Sequence, residues 1–138
     1  MYQLVLASES PRRKEILESA GFIFEVVPVK VSEIPDKNLN VDEQILDIAG
    51  RKSKVAFSLV KTMLDKPFVL LAADTMVVYH DQALGKPNNP QEAYDFLKLL
   101  SGQTHEVKTA VVLVESRGGA QASHLETSRV IFRKLSDR

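Results

Sequence analysis

Short apolar runs and helical stripes alternate along the chain. Leu4-Val5-Leu6-Ala7 is a compact apolar run and predicts a buried strand. A polar turn follows, Ser8-Glu9-Ser10. Ser10 suits the N-cap of a helix and Pro11 its first position, where a missing N–H costs little. Ile16, Leu17 and Ala20 then recur at helical spacing, and Gly21 predicts the stop. Phe22 to Pro28 alternates and is rich in β-formers, so it predicts a second strand, and Val29 to Leu39 is polar and predicts a loop.

Asn40-Val41-Asp42-Glu43 has the form of a capping box. Behind it, Ile45, Ile48, Ala49, Ala56, Leu59, Val60 and Met63 hold one helical face, and Pro67 ends the helical region. Phe68 to Ala73 is a continuous apolar run, the pattern of a strand covered on both faces. It is expected to terminate in Asp74-Thr75 before Met76 to Tyr79 resumes the apolar pattern. His80-Asp81-Gln82 predicts a turn. Asn89-Pro90-Gln91-Glu92 is a second capping box, opening a helix with Ala93, Phe96, Leu97 and Leu100 as its buried stripe and Gly102 as its end. The remainder reads as β: a strand from Glu106 to Glu115, a hairpin turn at Arg117-Gly118-Gly119, and one or more strands from Ala120 to Arg133. Strands and helices interleave in the first two thirds, which makes the fold class α/β.

Composition narrows the partners. The 138 residues suit one domain with a real core. Eighteen basic residues balance eighteen acidic ones, so there is no global field for nucleic acid or membrane, and any anion recognition has to come from local clusters. Without cysteine there is no disulfide framework and no thiolate metal site. The N-terminus has no basic segment followed by a long apolar run, and no stretch approaches the roughly 20 apolar residues that span a bilayer. The expectation is therefore a cytoplasmic protein with neither nucleic acid nor membrane as partner.

Local chemistry then concentrates at a few points. Arg12 and Arg13 fall in the first turn of a helix, where the dipole already places positive charge. Backbone N–H groups, the hydroxyls of Ser8 and Ser10 and two guanidinium groups together make an anion site. Lys52 falls on the apolar face of the long helix, where its ammonium either reaches the surface or meets a partner. Asp74 sits inside an apolar run, where a carboxylate is costly unless paired, hydrogen-bonded or metal-bound. Glu33 and Lys86 stand in loops. His105 stands near a strand start, where a lone histidine is more often structural than basic. No two histidines have zinc-site spacing, and Gly85-Lys86-Pro87 lacks the rest of a Walker A loop. No serine stands in a nucleophile elbow. Cations with carboxylates at the ends of buried strands suit a polyphosphate and a divalent ion, which points to hydrolysis of a phosphate ester or anhydride.

Four motifs, in order, carry a resemblance: Leu6-Ala7-Ser8-Glu9-Ser10-Pro11-Arg12-Arg13, Ala73-Asp74-Thr75, Gly85-Lys86-Pro87, and Leu100-Ser101-Gly102-Gln103-Thr104-His105-Glu106-Val107-Lys108-Thr109. Together they resemble the Maf family of nucleoside triphosphate pyrophosphatases over essentially the whole chain. The resemblance implies a mixed, curved sheet with flanking helices and a nucleotide-binding cleft, of the Maf and ITPase type, as a single domain over residues 1–138. It implies cleavage between the α and β phosphates with a divalent cation, magnesium or manganese. Asp74 matches the family's proton acceptor, and Glu33, Lys52 and Lys86 match its conserved glutamate and lysines. Glu33 and Asp74 are the candidate metal ligands. Ser8, Ser10, Arg12, Arg13, Lys52 and Lys86 would bind the substrate, and Arg12 and Thr75 fit the branch that acts on dTTP and UTP. Family members continue after the strand near Phe132 with a Lys-Ala-Gly-x-Tyr-x-Ile-Gln-Gly type segment that holds a third specificity residue. The chain ends at Arg138, so a domain missing its C-terminal part is expected. Members are often dimers, so a homodimer is expected. The alternative is a non-catalytic nucleotide-binding or cell-division regulatory protein, since the family name comes from an effect on septum formation.

Overall fold

The computed structural model describes residues 2–32, 34, 36–84 and 89–134. Its described strands form one six-stranded mixed sheet. They are β1 (Gln3–Ala7), β2 (Phe24–Val26), β3 (Phe68–Tyr79), β4 (Gln82–Leu84), β5 (Thr104–Glu115) and β6 (Gln121–Ile131), with helices α1 (Pro11–Ser19), α2 (Val41–Met63) and α3 (Pro90–Leu100). The spatial order is β2-β1-β3-β5-β6, with β4 pairing β3 beside this path. β1 lies parallel to both β2 and β3, whereas β4 and β5 on β3, and β6 on β5, are antiparallel. The chain passes from β1 outward to β2 through α1, then back across β1 to β3 through α2. Right-handed crossovers in opposite directions put the two helices on opposite faces of the sheet.

The main core lies on the α2 face. Val5, Ala7, Leu70 and Ala72 meet Ala56, Val60 and Phe68 in one cluster. Met76, Val78, Ala110 and Val112 meet Ile45, Ile48 and Ala49 in a second. The capping box that opens α2 is complete: Asn40 Oδ1 accepts the Glu43 N–H at 2.9 Å, and Glu43 Oε1 accepts the Asn40 N–H at 3.2 Å. At the far side of the sheet the Tyr2 hydroxyl donates to Glu115, and that bond holds the phenol above its usual pKa. Among the described residues no helix is long and apolar enough to cross a membrane.

Four sequence expectations need correction. Asp74 does not end a strand. β3 runs unbroken for 12 residues because β5 pairs with it from Val69↔Glu115 to Val78↔Glu106, straight through Asp74↔Ala110. The stripe on α1 exists but nothing on this helix is buried, and Ile16 is 57% exposed, because α1 borders an open cleft. On α2, Leu59 and Met63 keep the helical phase yet are exposed, since the buried stripe ends at Val60. On α3 only Leu100 is buried, so that helix meets the core at its C-terminal end. The turn before β4 uses positive φ at His80 and Asp81, and Gly118 and Gly119 take the same region before β6.

Candidate active site

β1 ends at Ala7, beside Ala72, while β3 continues past it. The space beyond the carboxyl end of a parallel strand is where open α/β sheets hold ligands. Here it is walled by the Ser8–Ser10 turn. The Ser8 hydroxyl oxygen accepts the Ser10 N–H at 3.0 Å, so the turn folds back on itself. Ser10 caps α1, accepting the Arg13 N–H at 3.4 Å. Arg13 then reaches in two directions. Its Nη1 donates to Ser8 Oγ at 3.4 Å and its Nη2 to Thr75 Oγ1 at 2.9 Å, 62 positions along the chain.

Asp74 and Thr75 are neighbours on β3 and therefore point to opposite faces. Asp74 faces α2 and is 7% exposed. The neutralising partner is Lys52, whose Nζ donates to Asp74 Oδ1 at 3.0 Å and to the Ala73 carbonyl at 3.4 Å. The helical phase that put Lys52 on the apolar face of α2 is thus explained: the ammonium compensates a carboxylate that the strand holds under the helix.

Two clefts flank this arrangement. The first, about 610 Å³, is lined by Ser8, Ser10, Arg13 and Lys52, with Glu9 and Lys30 also on its wall. The second, about 520 Å³, lies on the face away from α2. Its wall is apolar, with Leu6, Ile16, Leu71, Val107 and Val111, apart from Ser10, Arg12, Arg13, Thr75 and Thr109. Ser10 and Arg13 line both. A cationic hollow joined to an apolar one with few polar groups matches the two halves of a nucleotide.

Of the residues expected from sequence, Ser8, Ser10, Arg13, Lys52, Asp74 and Thr75 come together here, and Arg12 stands exposed on the wall of the apolar cleft. Glu33 and Lys86 lie outside the described residues. Lys30 was missed, and Thr109 entered only as the last residue of the fourth motif, with no role of its own. Lys30 sits in a loop with no pattern, and the meaning of Thr109 depends on its cross-strand neighbour Thr75, whose hydroxyl lies 3.1 Å from its own. His105 is buried, edge-on to Phe132 with ring centroids 4.7 Å apart, and its Nδ1 has no hydrogen-bond partner among the described residues. It stands apart from this site.

No group of three or more carboxylate or imidazole side chains gathers among the described residues. That donor set does not make an all-protein metal cage. A magnesium-type ion is commonly held through one or two carboxylates together with substrate phosphates, and Asp74 is the carboxylate that borders this site among the described residues.

The sheet order, the crevice at the end of β1 and the paired clefts define an α/β protein with a hydroxyl- and guanidinium-lined turn at the end of its first strand. A solved HAM1 protein from Coxiella burnetii shares this fold, with a TM-score of 0.58 at 16% identity over 95% of this chain and 73% of that one. The family profile described as Maf-like protein matches residues 3–138. Among relatives, the dTTP/UTP pyrophosphatase of Bdellovibrio bacteriovorus is 58% identical over 134 residues, covering 97% of this chain and 70% of that protein. The dTTP/UTP pyrophosphatase of Caldicellulosiruptor bescii is 36% identical over 137 residues, covering 99% and 68%. The chain belongs to the Maf family.

Proposed function

We propose that the protein hydrolyses dTTP and UTP to the monophosphate and pyrophosphate, as its relatives' names describe for them, within a single domain. The observation that carries the reading is the Lys52–Asp74 pair at 3.0 Å, next to a turn whose hydroxyls and guanidinium line a cationic cleft. In this reading the triphosphate lies along Ser8, Ser10, Arg13 and Lys52, with Lys86 as a further cation. The base enters the apolar cleft, where Arg12 and Thr75 select it. The incoming phosphates compete with Asp74 for the Lys52 ammonium, and the carboxylate so released becomes a base at the reacting centre. Water oxygen bonds to the α-phosphorus as the α–β bridging bond breaks. The water proton passes to Asp74 and pyrophosphate departs. Asp74, with Glu33, would hold a divalent cation, which when bound neutralises phosphate charge. We further propose that the protein acts in the cytoplasm, as a homodimer, without nucleic acid or membrane.

The test is pyrophosphate release from dTTP with magnesium. Turnover is expected in the wild type, and Asp74→Asn is expected to lower kcat by about a hundredfold or more while remaining folded. No turnover by the wild type, or an unchanged rate in the variant, refutes the assignment.

A further inference from the structure

Thr109 lies directly opposite Thr75 across the β3–β5 pair, on the sheet face away from α2. Their hydroxyl oxygens are 3.1 Å apart. Thr75 Oγ1 also accepts from Arg13 Nη2 at 2.9 Å, and the same guanidinium donates through Nη1 to Ser8 Oγ at 3.4 Å. A hydroxyl has one proton and two lone pairs, and a guanidinium only donates. Thr75 therefore spends one lone pair on Arg13, and its remaining capacity meets Thr109. That second contact fixes the Thr75 rotamer, because a hydroxyl held from two directions cannot turn away from either. Thr109–Thr75–Arg13–Ser8 is thus a continuous polar line from the apolar cleft to the cationic one, and Arg13 lines both.

We infer that Thr109 is a positioning residue: acting through Thr75, it holds the Arg13 guanidinium across the junction of the two clefts. This rests on the function proposed above. A nucleotide whose base enters the apolar cleft then meets Arg13 already aimed at its phosphates, and the ordering of that long side chain is not charged against binding. The line also passes through the floor of the apolar cleft, so a base seated there presses on the group that orients the phosphate clamp.

The experiment compares wild type, Thr109→Val, Thr109→Ser, Thr75→Val and the Thr75→Val/Thr109→Val double variant, following pyrophosphate release from dTTP with magnesium and thermal unfolding. Valine keeps the shape of threonine and favours a strand, so the fold is retained. Thr109→Val is expected to raise KM about three- to tenfold, the loss of one hydrogen bond's worth of order, with kcat within about twofold of wild type. Thr109→Ser restores KM. The double variant matches Thr75→Val alone, because both changes cut one line. An unchanged KM in Thr109→Val, or effects that add in the double variant, overturns the inference. So does a loss confined to Tm and kcat that serine fails to restore. A wild type without turnover instead refutes the functional reading itself, so the two failures are told apart.

Discussion

Lys52 and Asp74 bring opposite charges into a space nearly closed to water, with side-chain exposures of 13% and 9%. The two are not equally free. Asp74 is fixed on a strand whose ladder to β5 runs straight through it, whereas Lys52 ends a flexible stem on the wall of the cleft. Removing the lysine strands a carboxylate that cannot move, and removing the carboxylate leaves an ammonium that can turn to solvent. Lys52→Met is therefore expected to cost about 3 kcal/mol of stability, near the lower end for an uncompensated buried charge, and Asp74→Asn distinctly less. Urea unfolding of the two variants measures the difference, and equal losses would mean that the pair is not asymmetric. Much at this scale was legible in the sequence. A carboxylate in an apolar run and a lysine in phase with an apolar stripe each ask for a partner, and each is the other's. The role of Thr109 was not legible, although the residue closes the fourth motif, because a threonine in a strand is ordinary until the register names the residue across from it.

The elements were legible where their ends are chemical and less so where their burial depends on neighbours. Ser10-Pro11 starts α1, Asn40 with Glu43 starts α2, and Asn89-Pro90 starts α3, each cap accepting the N–H three residues on. What those helices bury could not be read from period alone. α1 and α3 carry apolar residues at helical spacing, but α1 borders an open cleft and α3 meets the core through Leu100, so their stripes stay open. Local pattern registers a charge as a break and so divides the strand at Asp74. The ladder to β5 and the ammonium of Lys52 let the strand continue. α2 is the helix that closes the core, so its cap matters to the whole fold. Asn40→Ala removes one half of a reciprocal pair and is expected to cost about 1 kcal/mol, lowering Tm by several degrees. Asn40→Asp keeps an acceptor at the same place and is expected to retain most of that stability. Calorimetry on both variants checks it, and an unchanged Tm in Asn40→Ala would show that the box contributes nothing.

For the molecule as a whole, the sheet carries its main core under α2 and a cleft on its other face. Leu70 and Leu71 are consecutive, equal in size and on opposite faces of the same strand. Leu70 is fully buried under α2, and Leu71 is partly covered on the wall of the apolar cleft. Truncating Leu70 removes apolar contacts and leaves a cavity that a close-packed core cannot collapse, for about 3 kcal/mol. Truncating Leu71 widens a cleft that already admits solvent, which costs the transfer term for the area it covers, about 1 kcal/mol. The ratio should reverse for ligand. Leu71→Ala is expected to raise KM for dTTP severalfold by loosening the apolar wall, whereas Leu70→Ala, where it folds, leaves KM near the wild-type value. Unfolding curves and dTTP kinetics on the same two proteins test both halves together. If the two leucines cost the same in stability, the second face is as well packed as the first, and the space assigned to the base is part of the core.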